Sequence, residues 1–318
     1  MPTRLDKKRQ KLLFDLTQVV GIGSGFKEVQ GVETDQTAII VFVQQKLPIE
    51  QLKRKDVIPK NINGIPTDVI EVGHLKAFSG SPTELVIKTT ERIRPAPPGV
   101  SIGHYRITAG TLGAIVYDSK SQPLILSNNH VLANSSNGRD YKAKIYDPIL
   151  QPGPTDIQAL NTPRIASSLT SDNILAKLIK FVPLKDSNKP NQVDCALARP
   201  LSNDLVIPEI RGLGAVKGIR TPVLGTLVKK SGRTSGVTTG KIKATNVVAK
   251  VNYGSGRILK FENQILTTAM SEPGDSGSLI IDSSNYAIGL LFAGSSSCTL
   301  ANPIQVVLNL LKVKFSTK

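Results

Sequence analysis

The chain has 318 residues, 40% apolar and 20% charged, with a formal net charge of +16; this suits a globular protein with a sizeable core and excludes a disordered or fibrous one. No apolar run approaches the roughly 20 residues that cross a bilayer, so no membrane role is expected. The basic opening MPTRLDKKRQKLLFDLTQVV is interrupted by Asp6 and Asp15 and does not read as a signal peptide.

Residues 1–75 form a small α+β unit. Leu5, Leu12, Leu13 and Leu16 fall at helical spacing, which predicts an amphipathic helix. VVGIGSGFKEVQG and TAIIVFVQQK then read as two strands of a hairpin, and IPKNINGIPTDVIEVG as turn chemistry followed by a short strand. Residues 76–99 carry few apolar clusters and end in RIRPAPPG, whose prolines stiffen a connection, so they are read as a linker. From residue 100 to 318 short apolar runs dominate: TLGAIVYD, QPLILSNNHVL, VDCALARP, LGTLVKKSG, GKIKATNVVAKVNY, RILKFENQILTT, GSLIID and YAIGLLFAG. Separated by Gly, Pro, Ser and Asn, they predict an all-β sandwich or barrel. PIQVVLNLLKVKF suits a terminal helix.

The two cysteines, Cys195 and Cys298, make no disulfide framework and point to free thiols in a reducing cytoplasm. Lys and Arg gather at 4–11, 53–55 and 217–243. Such a charge attracts nucleic acid, anionic lipid or acidic protein. A solvated lysine-rich surface explains it more plainly, and no nucleic-acid-binding motif accompanies it.

The stretch SEPGDSGSLII places Ser276 between two glycines after an aspartate. That is turn composition, and a nucleophile there needs a base, an orienting acid and an oxyanion hole. The chain has 3 histidines, His74, His104 and His130, and His130 ends the apolar run LILSNNH. For the acid, Asp194 lies among Val193, Cys195, Ala196 and Leu197, where a carboxylate must be paired if it is buried. Asp147 and Asp156 are weaker candidates, since the proline-rich DPILQPGPTD gives them access to water.

SNNHVL, VDCALA and GDSGS occur in the order of the chymotrypsin-like serine peptidases, and KKSGRTSGVTTG resembles the Ser-Gly-Arg-Thr-Thr-Gly segment of their bacterial α-lytic-type relatives. IGLLFAG resembles the strand that lines the substrate cleft, and ANPIQVVLNLL the closing strand and helix. The whole chain is similar to bacterial trypsin-like peptidases related to the plant Narrow Leaf 1 protein. The resemblance implies a mainly β, chymotrypsin-like double antiparallel β-barrel with a small N-terminal α+β unit and a C-terminal helix.

It also implies a serine endopeptidase with His130, Asp194 and Ser276 as catalytic residues and the amides of Gly274 and Ser276 as oxyanion hole. Met270, Ala293, Gly294 and Cys298 would line the pocket for the P1 side chain, and with Met270 in place of an aspartate that pocket would take small or medium apolar residues. Arg233 would pair with Asp275 and set the oxyanion hole in the uncut chain. The family's usual alanine pair before the histidine is Asn128-Asn129 here. No cofactor or metal is implied. The partners expected are protein or peptide substrates and a second copy through the N-terminal unit, with nucleic acid as the weaker expectation. The alternatives are a catalytically silent trypsin-fold protein that binds peptides and a nucleic-acid-binding module.

Overall fold

The computed structural model describes residues 6–77, 87–159, 172–187 and 189–316. Leu5 of the predicted helix and the middle of the expected linker lie outside them.

Helix α1 (Lys7–Phe14) begins at Asp6, whose carboxylate accepts from the Arg9 amide at 2.9 Å and caps the first turn. It buries Leu13 and Phe14 against Val19, Ile22, Ile39, Val41 and Val43, whereas Leu12, expected on that face, is exposed. Strands β1 (Val19–Val29) and β2 (Val32–Val43) form the expected hairpin. Its turn holds Gln30 and Gly31 at φ 51° and 79°, a left-handed pair suited to glycine and polar residues. β3 (Asn61–Ile62) and β4 (Ile65–Glu71) follow, with β4 parallel to β2, and β5 (Lys76–Ala77) falls in the stretch expected as a linker. A short helix, α2 (Ile87–Thr90), lies in the same stretch.

Seven strands make the next sheet: β6 (Ser101–His104), β7 (Gly110–Thr111), β8 (Ala114–Tyr117), β9 (Pro123–Ser127), β10 (Pro148–Leu150), β11 (Ile174–Phe181) and β12 (Ala196–Pro200). They lie in the order β7-β6-β10-β11-β12-β9-β8, and every pairing is antiparallel. The sheet curls around a single apolar cluster that takes Ile102, Ile115, Ile125, Ile149, Leu175, Leu178 and Ala198 from its strands. Helix α3 (Asn129–Leu132) follows β9 and α4 (Pro154–Ala159) follows β10.

The second barrel uses β13 (Leu227–Gly232), β14 (Gly236–Asn252), β15 (Ile258–Thr268), β16 (Leu279–Asp282), β17 (Ala287–Gly294) and β18 (Cys298–Pro303). The order β13-β16-β17-β18-β15-β14 closes because β13 also pairs with β14. Val228, Ile242, Ile265, Ile280, Ile288 and Leu291 fill it. The terminal helix α5 (Ile304–Leu311) packs Ile304, Val307, Leu308 and Leu311 between the barrels, with Leu126 and Leu197 from the first and Leu279 and Leu290 from the second. The fold is thus mainly β, a chymotrypsin-like double antiparallel barrel.

β14 outruns the barrel. Its later residues pair with β1, from Gly21↔Ala249 to Gly25↔Ala244, so the N-terminal strands continue the second barrel's sheet. The glycines of GIGSG are required here, since a Cβ on Gly23 would stand 2.8 Å from the Val247 side chain and one on Gly25 would strike the Lys243 carbonyl at 2.5 Å.

Candidate active site

The three residues expected to act together lie at the ends of elements of the two barrels. α3 carries His130 at the end of β9, Asp194 precedes β12, and Ser276 precedes β16. Asp194 is fully buried. His130 Nδ1 lies 2.6 Å from Asp194 Oδ2, and the His130 amide donates to Oδ1 at 3.2 Å. The ring Nε2 is buried and has no hydrogen-bond partner among the described residues. With a carboxylate as partner, Nδ1 carries the proton and Nε2 presents a lone pair.

The other histidines are placed differently. His104 is buried, with Nε2 3.0 Å from Asp147 and Nδ1 accepting the Arg106 amide at 3.2 Å, so both ring nitrogens are committed. Burial pushes its pKa down, partly opposed by Asp147. His74 lines a cavity near Met270.

Asp194 has further partners. The Tyr253 hydroxyl, one residue past β14, donates to Oδ2 at 2.6 Å, and its ring stands edge-on to His130 with centroids 6.0 Å apart. Phe261 stacks on the Tyr253 ring. Burial, then the Asp194 charge, hold the Tyr253 phenol well above its usual pKa, so it stays a donor. The Asp194 amide donates to Asn302 Oδ1 at 2.9 Å, and the Asn128 side chain donates to the Asp194 carbonyl at 2.8 Å. Asn129 bridges to the Val182 and Ser136 carbonyls at 2.7 and 3.0 Å. The two asparagines therefore bolt the histidine loop down. Burial raises the neighbouring Cys195 thiol well above its usual pKa and the Cys298 thiol to about 11, which leaves both thiols protonated.

Ser276 is buried, and its hydroxyl donates to the Phe292 carbonyl at 3.2 Å. The loop before it has its carbonyls pinned. Pro273 O accepts from the Thr234 hydroxyl at 2.7 Å, Gly274 O from the Thr111 hydroxyl at 2.9 Å, and Asp275 O from the Ser278 hydroxyl at 2.6 Å. In a trans peptide the N–H points opposite to the carbonyl, which turns the Gly274 and Ser276 N–H groups away from these anchors. Neither donates to a protein acceptor among the described residues. Gly274 sits at φ 102°, and a Cβ there would collide with Thr234 and Arg233, so only glycine fits.

The cation on Asp275 corrects an expectation: it is Lys230, not Arg233. Strand alternation turns Val228, Lys230 and Gly232 of β13 inward, and Lys230 is fully buried. Its ammonium donates to Asp275 Oδ2 at 2.9 Å, to the Gly236 carbonyl at 3.1 Å and to the Ser235 hydroxyl, which uses all three N–H groups. Asp275 also accepts from the amides of Thr234, Ser235 and Glu272 at 2.9, 3.1 and 2.9 Å. Burial lowers the Lys230 pKa, and Asp275 opposes that. Arg233 instead grips Asp156 with two bonds, Nε to Oδ2 at 2.7 Å and one from Nη2 to Oδ1. That pair is buried and ties α4 to the second barrel. Asp156, expected to face water, points inward because α4 turns it there, and it also accepts from Ser101 at 2.5 Å.

Two cavities flank the site. One, of about 530 Å³, is lined by His130, Tyr253, Arg106, Thr108, Arg257 and Ala77. The other, of about 710 Å³, is lined by Met270, Ser271, Gly294, Thr238, His74 and Ala77. Of the expected pocket residues, Met270 and Gly294 line this second cavity, whereas Ala293 and Cys298 are buried in an apolar cluster with Phe261 and Phe292.

The fold, with a histidine, an aspartate and a serine at the junction of its barrels, is that of the trypsin-like serine proteases. The chain is homologous to the plant protein Narrow Leaf 1 of Oryza sativa subsp. japonica, at 25% identity over 308 residues that cover 87% of this chain and 51% of that protein. Residues 7–72 match the family described as the Narrow Leaf 1 N-terminal domain. Serine protease 2 of Streptomyces fradiae is 37% identical over 83 residues, 26% of this chain and 45% of that one. The chain therefore spans about half the length of these curated relatives, or less. Among solved structures, Thermobifida fusca Protease A superposes with a TM-score of 0.48 at 20% identity, covering 70% of this chain and 100% of that one.

Proposed function

We propose that the chain is a serine endopeptidase that hydrolyses peptide bonds through an acyl-enzyme. The observation that carries this reading is the His130–Asp194 pair: a 2.6 Å bond to a fully buried carboxylate holds the ring with Nε2 unpartnered among the described residues. On this reading Ser276 Oγ leaves the Phe292 carbonyl and adds to the substrate carbonyl carbon while His130 Nε2 takes its proton. The oxyanion is held by the Gly274 and Ser276 amides. The tetrahedral species collapses, the C–N bond breaks, and His130 returns the proton to the leaving amine. Water then attacks the acyl group by the same route and frees Ser276.

Met270 and Gly294 support an apolar preference at P1, since a thioether cannot neutralise a buried Lys or Arg. The partners of such an enzyme are protein substrates cut at a few sites inside the cell.

The test is labelling by a small fluorophosphonate, followed by mass spectrometry of the modified peptide. Wild type is expected to gain one adduct on Ser276, and His130→Ala none. Absence of labelling in folded wild-type protein would refute the reading.

Tyr253 has a separate role on this reading. It cannot transfer the proton, but it restrains Asp194, and a hydrogen bond to a charged group contributes about 1.5–3 kcal/mol. Tyr253→Phe is expected to lower kcat roughly ten- to a hundredfold with little change in KM. A variant with kcat unchanged would remove Tyr253 from the mechanism.

A further inference from the structure

The chain itself occupies one edge of β17 beside the two cavities. Lys76 pairs with Gly294 and Ala77 with Ala293, antiparallel to β17, while Lys76 also pairs parallel with Asn252 at the end of β14. The Asn252 amide donates to the Leu75 carbonyl at 3.0 Å. Leu75 and Ala77 are 3% and 6% exposed and belong to the apolar cluster of Phe261, Phe292 and Ala293. Gly73, at φ 67°, turns the chain toward the cleft just after Val72 hydrogen-bonds back to Val43 at 2.9 Å.

The position is specific. Ala293 and Gly294 directly follow Phe292, whose carbonyl holds the Ser276 hydroxyl. The opposite edge of β17 is taken by β18 as far as Gly294↔Thr299. The edge beneath β5 is therefore the one an extended peptide would use to add a strand beside the nucleophile. Ala77 lines both the cavity of His130 and the cavity of Met270, so β5 stands between the two parts of the cleft.

We propose that Leu75–Ala77 is a built-in occupant of the substrate's strand site, and that an extended peptide is admitted only when this segment has left. The proposal rests on the peptidase reading. An occupant tethered in the same chain competes at an effective concentration of about millimolar, enough to exclude micromolar peptides.

Two reagents on the full chain test it. A small fluorophosphonate needs only the serine and its histidine base, whereas a tetrapeptidyl chloromethyl ketone ending in leucine needs the strand site as well. Wild type is expected to react with the first and only slowly with the second. Lys76→Pro removes a ladder N–H, and Leu75→Asp puts a charge into the apolar cluster. Each should raise the peptidyl rate about tenfold or more and leave the fluorophosphonate rate unchanged. Equal peptidyl rates in wild type and folded variants would overturn the proposal. Hydrogen exchange reads the same event without catalysis: in wild type the Leu75–Ala77 amides should exchange slowly, and faster with the tetrapeptide amide at about millimolar concentration. Unchanged exchange there overturns the proposal too, whereas failure of the fluorophosphonate to label any form overturns the peptidase reading alone.

Discussion

Replacing Asp194 by asparagine is expected to lower kcat by about 10⁴ while the chain stays folded. The amide is close in volume to the carboxylate, but its NH₂ faces donors. Asp194 accepts from three of them: the His130 ring, the His130 amide and the Tyr253 hydroxyl. An asparagine can satisfy only part of that set, and the ring is driven to the tautomer with its proton on Nε2, where it cannot receive one from Ser276. Ser276→Ala should lose at least as much, and the double variant no more than the worse single one, because the residues act as a unit. Steady-state kinetics on an apolar peptide ester, with circular dichroism to verify folding, measures this. Additive losses, or wild-type turnover in Asp194→Asn, would mean that the histidine is oriented by something else.

Lys230→Met is expected to have the second largest effect. It leaves Asp275 buried without a cation, and breaking a buried pair from one side costs about 3–5 kcal/mol. The surviving donors to Asp275 are the amides of Thr234, Ser235 and Glu272 and the Ser235 hydroxyl. They belong to the two loops that set the Gly274 peptide, so strain there should misplace the oxyanion donors and cost roughly 10²–10³ in rate. Arg233→Met is the informative control, since it strands Asp156 instead. It should lower thermal stability by a similar amount, yet spare the labelling rate of the folded fraction far more than Lys230→Met does. The reverse ranking of labelling rates would reinstate Arg233 as the residue that sets the hole.

Much of the proposed site was legible because the chemistry proposed for it needs short local motifs. A serine on a glycine-flanked turn, a histidine closing an apolar strand and an acid inside an apolar one can each be recognised within a few residues. The parts that escaped depend on register between distant strands. Tyr253 is one of 6 tyrosines and follows an unremarkable strand; its partner Asp194 lies 59 residues earlier in the chain. Lys230 and Arg233 are both cations near Asp275, and only the two-residue alternation of β13 points the lysine inward. The same alternation separates Gly294, on the cavity, from Ala293, in the core. β11 went unread because Leu175 and Leu178 are spaced as on a helix, while their burial comes from pairing with β10 and β12. β5 is two residues long and has no pattern of its own.

The pairing of β1 with β14 also imposes an order in time. Its partners lie roughly 220 residues apart, so at ribosomal rates of about 5–20 residues per second the β1 edge waits about 10–40 s for its mate. Throughout that interval the nascent hairpin offers a bare strand edge, the feature most prone to wrong association. Gly21, Gly23 and Gly25, which β14 later requires for its close approach, meanwhile keep that edge poor in sticky side chains. When β14 does arrive, it completes the N-terminal sheet and carries Tyr253 behind it, while the second barrel still waits for β15 to β18.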